Sequence, residues 1–162
     1  MKKFCILVLA IIVALAFAGC GSSSSGRSKS DMLQSLDAYA QTTAPSNGAI
    51  LDGSSSGNSG IEVKAPSSKS VYVKVVKTSG STQVGFYVAA GNTASVNVPS
   101  GSYAVHFAIG QTWYGKSNRF GNDTSYGQDN SLSLGSGDVM SYTLSVSSGG
   151  NWNMGSLSAS NF

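Results

Sequence analysis

The sequence predicts an all-β protein: an antiparallel β-sandwich of seven or eight short strands that follows a flexible N-terminal tether. Three observations carry this. Apolar residues recur at every second position through most of the segment from Ile61 to Phe162. Separators containing Gly, Ser, Asn or Pro break these runs at hairpin intervals. No 3.6-residue period appears after Ile61, so the class is all-β, and strands this short favour a sandwich over a large barrel.

Composition bounds the rest. The chain has 162 residues, of which 10% are charged, thirty-two are serine and 20 are glycine. Its hydrophobic fraction is 41%, and much of that sits in the first nineteen residues, which leaves apolar stock for one modest core and excludes a large multi-layer enzyme. The formal net charge is +3, but Lys2 and Lys3 lie in a segment expected to be removed, leaving eight basic against seven acidic residues. A balance so close to neutral supplies no electrostatic case for nucleic acid, whose binding depends on many phosphate-neutralising cations.

Residues 1–19 have the anatomy of an export signal: Met1-Lys2-Lys3 is a positive start, and Phe4 to Phe17 is an uncharged apolar run ending in Ala18-Gly19-Cys20. Two small residues before a cysteine resemble the lipobox of bacterial lipoproteins, with Phe17 where that pattern usually has Leu. The resemblance implies cleavage before Cys20, a diacylglyceryl group on its thiol, and an extracytoplasmic protein tethered to the cell membrane or outer membrane. Each buried methylene of such chains contributes about 0.8 kcal/mol, and two chains anchor where one holds only marginally. Two other fates stay open: ordinary cleavage after Ala16-Phe17-Ala18, or retention of the apolar run as an anchor at the short end of spanning length. With Cys5 removed and Cys20 acylated, no thiol remains for disulfides, catalysis or metal.

Residues 20–60 read as a linker. Gly21 to Lys29 is a Ser/Gly coil; Met32, Leu33, Leu36 and Tyr39 allow a short helix over 30–41; and Gln41 to Gly60 returns to low complexity. The sandwich domain is placed at 61–162, with strands expected at about 61–65, 70–78, 82–90, 93–98, 102–109, 131–134, 139–147 and 151–157. Val71, Val73 and Val75 alternate with Tyr72 and Lys74; Tyr103, Val105, Phe107 and Ile109 alternate with Ala104, His106 and Ala108. Ser79-Gly80, Gly91-Asn92 and Gly149-Gly150 supply positive-φ turns, and Val98-Pro99-Ser100-Gly101 presets another.

Pro99-x-Gly101-x-Tyr103-x-Val105 resembles the turn and strand of transthyretin-like and carboxypeptidase-regulatory-like β-sandwiches. The longer string through Trp113-Tyr114-Gly115, Phe120 to Thr124 and Gly150-Asn151 is similar to an uncharacterised bacterial domain. Both resemblances imply the sandwich, and neither implies an activity, because function is carried by sites rather than folds.

Residues able to do chemistry are scarce. His106 is the one histidine, expected to face solvent or a neighbouring loop, and no Gly-x-Ser-x-Gly elbow presents a serine to it. Zinc has no ligand set. Asp123 and Asp129 could form the carboxylate pair of an envelope glycan hydrolase, and Asn122, Asp123, Asp129 and Asn130 could offer oxygens to calcium in an adhesion module, though both residue types also cap turns. The most informative stretch is the long loop from Gly110 to Asn130 with Trp113, Tyr114, Phe120 and Tyr126. With Trp152 these aromatics could form a ligand-binding surface for an envelope glycan or protein; the competing expectation is that Trp113 and Phe120 fold back and plug one end of the sandwich. The sequence therefore points to a membrane-anchored lipoprotein without catalytic residues, cofactor or metal, whose sandwich binds or builds in the cell envelope.

Overall fold

The structure, a computed structural model, describes residues 39–145 and 155–162. The signal segment, Cys20, Trp152, most of the 30–41 helix and the start of the 151–157 strand lie outside the described residues. Tyr39 to Gln41 are not helical.

Eight strands form two sheets. The strands are β1 (Ile50–Gly53), β2 (Ser59–Lys64), β3 (Ser70–Lys77), β4 (Thr82–Val88), β5 (Thr93–Val98), β6 (Gly101–Gly110), β7 (Ser125–Leu134) and β8 (Val139–Thr143). One sheet has five strands in the order β1-β4-β3-β6-β7, and the other has three in the order β5-β2-β8. All pairings are antiparallel except β2 with β8, which is parallel. The expected purely antiparallel sandwich is thus a mixed one. After β7 the chain turns at Gly135 to Asp138 and joins the opposite sheet, so β8 cannot close a hairpin on β7 and runs beside β2 instead.

The main core lies between the sheets and is built by the alternation itself. Val71, Val73 and Val75 of β3, Val84, Phe86 and Val88 of β4, and Val105 and Phe107 of β6 face Ile61 and Val63 of β2 and Val96 and Val98 of β5. Most of these side chains are fully buried. Val73 stands in register between Phe86 and Phe107, so the centre of the large sheet is a β-branched residue flanked by two aromatics, a favourable cross-strand arrangement. At the Pro99-Ser100-Gly101 turn, the Tyr103 hydroxyl donates to the Pro99 carbonyl at 2.7 Å, which locks the entry to β6.

Three expectations change. The sheet begins ahead of Ile61, because Ile50–Gly53 pairs with β4. Four residues between Ser- and Gly-rich stretches show no period, and the open edge of β4 determines their pairing. Second, β7 starts at Ser125, not near 131; Ser-Tyr-Gly-Gln-Asp-Asn has no alternation, yet it is held in register by β6 from Ile109↔Ser125 onward. Third, β8 stops at Thr143, and of the expected last strand Gly155 makes only a single antiparallel bridge with Gln128.

Among the described residues no helix is long and apolar enough to cross a membrane.

Candidate functional site

The three central strands of the large sheet, β3, β4 and β6, are apolar on both faces. Tyr72, Tyr87 and Ala108 occupy the positions between the core residues of β3, β4 and β6, so they point away from the small sheet. A sheet with two apolar faces needs a cover on each. Here the second cover is the loop that follows β6, together with the segment Gly155 to Phe162. Tyr72, Tyr87, Ala108, Trp113, Phe120 and Phe162 form a separate buried cluster, flanked by Leu51, Ala89, Tyr126 and Leu157.

Trp113 is the hub. Its ring packs edge-on against Tyr72 at 5.9 Å, Tyr87 at 5.4 Å and Phe120 at 5.4 Å, the T-shaped geometry that adds to simple area burial. Phe120 sits directly over Gly110, where a Cβ would lie 2.2 Å from the Phe120 Cβ, so only glycine at the end of β6 lets the ring close down. The Tyr114 N–H donates to the Arg119 carbonyl and the Arg119 N–H to the Gly115 carbonyl, both at 2.7 Å, and the Phe120 N–H donates to Thr124 Oγ1 at 3.2 Å. These bonds close the loop into a fixed lobe.

Of the five aromatic residues predicted as a binding surface, Trp113 and Phe120 are 5% and 1% exposed, so they are structural members of this layer and present no stacking platform to solvent. They fold back over the outer face of the large sheet, whereas the sequence suggested one end of the sandwich. Tyr114 is half-buried and packs its ring 5.9 Å from that of Tyr39. Tyr126 is half-buried on β7 and reaches the Phe162 ring at 5.6 Å.

Charged groups are threaded through this layer. Asp52 of β1 accepts from the Tyr72 hydroxyl and from Lys116 Nζ, the latter at 2.6 Å. Lys74, on the same face of β3 as Tyr72, donates to the Phe162 carbonyl oxygen at 2.7 Å. Arg119 lies with its guanidinium 4.8 Å from the centre of the Phe162 ring and donates to the Tyr126 hydroxyl at 3.2 Å. Arg119 is the sole non-glycine residue among those described with a left-handed backbone, φ 54°. Such a conformation costs about 1–2 kcal/mol and here carries the guanidinium over the ring. His106, expected to face solvent or a neighbouring loop, is half-buried beside Lys74 and under Phe162, and its Nδ1 has no hydrogen-bond partner.

These surroundings shift protonation. Burial pushes the Tyr72 hydroxyl far above its ordinary value, and the Asp52 carboxylate adds to the shift. For Asp52, burial acts upward but is outweighed by the Lys116 and Tyr72 hydrogen bonds and the nearby cations, so its carboxyl lies below the usual range. Burial lowers Lys74, with Arg119 and Lys116 adding to it against the pull of Asp52. Burial, then the charge of Lys74, lowers His106.

Stability should therefore fall on acidification in two windows. His106 binds its proton less readily folded than unfolded, so stability present above the unfolded value of about 6.5 declines as pH drops below it. Asp52 is depressed, so its contribution is present above about pH 4 and is lost as pH falls through its folded value. Urea unfolding measured against pH should show both slopes, with His106→Gln removing the first and Asp52→Asn reducing the second, which Asp129 shares.

The two carboxylates suggested for hydrolysis lie on separate elements. Asp129 on β7 accepts from the Tyr142 hydroxyl at 2.9 Å and from the Ser131 N–H and hydroxyl at 3.0 and 3.2 Å, while Asp123 is exposed in the 3-10 turn Gly121–Asp123. Asp129 thus caps its own strand and ties β7 to β8 across the edge of the sandwich. A shallow depression of about 340 Å³ lies there, lined by Asp129 and by Met140 to Thr143 of β8. Among the described residues no three His, Cys, Asp or Glu side chains approach closely enough to hold a metal ion. The sequence missed Asp52, Lys74 and Arg119 as members of one cluster. Lys74 between Val73 and Val75 was a visible signal, because a lone cation inside an apolar run on a two-faced strand must find a partner.

The chain matches no family model, no curated protein and no solved structure.

Proposed function

We propose that this chain is an exported lipoprotein, anchored in the cell membrane or outer membrane through acyl chains on Cys20, whose transthyretin-like β-sandwich is a non-catalytic binding or structural module of the cell envelope. The observation that carries the reading is the order Met1-Lys2-Lys3, apolar run, Ala18-Gly19-Cys20. A low-complexity stretch rich in serine follows the cysteine and provides distance between bilayer and domain.

Support for a non-catalytic module comes from how its polar groups are used. Asp52 is engaged by Tyr72 and Lys116, and Asp129 by Tyr142 and Ser131. Both carboxylates sit below their ordinary range, stabilised as anions, which suits a hydrogen-bond anchor better than a proton donor near neutral pH.

Metabolic labelling with an alkyne fatty acid tests the proposal. The wild-type chain should take up label and Cys20→Ala should take up none. Equal labelling of the two would refute the anchor.

A further inference from the structure

We infer that the free edge of β8 is a self-association edge, to which β8 of a second copy of this chain adds antiparallel about a two-fold axis at Ser141. The inference goes beyond the proposed envelope role and rests on the sandwich alone, so it does not depend on the lipid anchor.

The edge is open at the level of the backbone. β8 lies at the end of the order β5-β2-β8 and runs parallel to β2. The Gly60 N–H donates to the Asp138 carbonyl and the Leu144 N–H to the Lys64 carbonyl, so the even-numbered residues of this stretch face β2. By the period of two, the N–H and C=O groups of Val139, Ser141 and Thr143 point away from it. Among the described residues none of these groups has a backbone partner.

Each of the other three sheet edges carries a device against pairing. β1 has four residues, a register shift beside the charged Asp52, and a Leu51 carbonyl reached by Lys116 Nζ at 3.5 Å. On β5 the Thr93 carbonyl accepts from Asn47 Nδ2 at 2.8 Å, and the Asn97 N–H and carbonyl bond to Ser55 Oγ at 2.8 Å and to the Ser56 N–H at 2.9 Å. On β7 the Gln128 N–H donates to the Gly155 carbonyl at 3.1 Å. Charges, bulges and loop covers of this kind keep strand edges from joining other chains. Val139 to Thr143 holds no Asp, Glu, Lys, Arg or Pro, and its Val139 and Met140 side chains are 68% and 36% exposed.

The occupant follows from how this edge fits itself. With the axis at Ser141, the outward groups form the hydrogen-bonded pairs Ser141 with Ser141 and Val139 with Thr143, each exchanging both bonds, and Met140 of one copy stands opposite Tyr142 of the other. β-branched pairs and methionine–aromatic pairs are both favourable across strands. In the row through Ser141, Glu62 of the two β2 strands would stand three strand spacings apart, about 14 Å, which exceeds the screening length of about 8 Å. Met140 would be withdrawn from water over the depression that β8 shares with Asp129. Strand addition at an open edge is a general mode of protein association.

The test is sedimentation equilibrium of the full chain in density-matched detergent. A five-residue edge falls short of the roughly 1,200 Å² of a standard interface, so the wild-type chain should form a weak dimer with Kd on the order of 100 μM. Ser141→Pro removes an N–H that β2 does not use and sets a ring against the incoming strand, so it should weaken the dimer at least about tenfold while the near-UV CD spectrum of the fold is retained. Ser95, between Thr93 and Asn97, has its N–H on the outward side of β5, and Ser95→Pro should leave Kd within about twofold of wild type. Should Ser141→Pro not fold, Ser141→Lys, which sets like charges opposite each other at the axis, must weaken the dimer at least about threefold, and an unchanged Kd would overturn the inference. A wild-type chain still monomeric at about 1 mM would overturn it as well and leave the edge to a strand of another protein or to water. So would a dimer that persists in folded Ser141→Pro, or one that Ser95→Pro dissociates equally, since the contact would then lie elsewhere. Failure on any of these arms leaves the Cys20 labelling result untouched, so the two readings fall separately.

Discussion

Replacing Trp113 with alanine should destabilise the domain by about 3–5 kcal/mol, the range seen when a buried Trp or Phe is truncated. The side chain is buried and touches Tyr72, Tyr87 and Phe120, so its removal opens a void between the outer face of the large sheet and the loop that covers it. Phe120 above Gly110 and Tyr72 beside Asp52 would lose their common neighbour. Urea unfolding of the variant should show the midpoint shifted strongly downward. A change below about 0.5 kcal/mol, typical of an exposed position, would mean that the ring lies on the surface as a ligand platform instead.

Gly57→Ala should cost about 2–4 kcal/mol, combining a strained left-handed backbone with a steric clash. Gly57 has φ +117°, and a Cβ there would lie 2.3 Å from the Val98 carbonyl carbon and oxygen, which are backbone atoms unable to rotate away. Gly80 is the matched control: it is also left-handed at φ +86°, but a Cβ meets nothing within 4 Å, so alanine should cost only about 1 kcal/mol. The comparison is informative because Gly57 lies in the Ser/Gly-rich stretch that reads as linker. A linker residue would tolerate alanine freely. A large loss at Gly57 and a small one at Gly80 would place the loop between β1 and β2 inside the cooperative fold.

Which parts of the fold could be read in advance follows from how each segment is stabilised. The stretches around Val71 to Val75, Val84 to Val88 and Tyr103 to Phe107 carry their own period-two signal because one face of each is core. Ile50–Gly53 and the first half of β7 carry none, since their pairing is imposed by β4 and β6 through backbone hydrogen bonds that any residue but proline can make. Other information was present but spread across positions. Tyr72 between Val71 and Val73, Tyr87 between Phe86 and Val88, and Ala108 beside Phe107 make three neighbouring strands apolar on both faces, and such a sheet demands a second cover. Taken together they would have assigned Trp113 and Phe120 to that cover.

The charged cluster was hidden for a different reason. Asp52, Lys74, Lys116, Arg119 and Phe162 come from four separate stretches of sequence, and nothing local in any of them announces the others. Only the strand order β1-β4-β3-β6-β7, with the loop after β6 folded over it, brings them to one face. His106 shows the same limit: alternation correctly places it opposite Val105 and Phe107, but whether that side is water or protein depends on what lies above the sheet.

The proposed envelope role depends most directly on whether Cys20 is acylated. Mass spectrometry of the N-terminal tryptic peptide from the natural protein, Cys20 to Arg27, reads that state. The account predicts that the chain begins at Cys20 with the mass of a diacylglyceryl group on its sulfur. An unmodified peptide beginning at Gly19, or one still joined to the apolar run from Phe4, would contradict it.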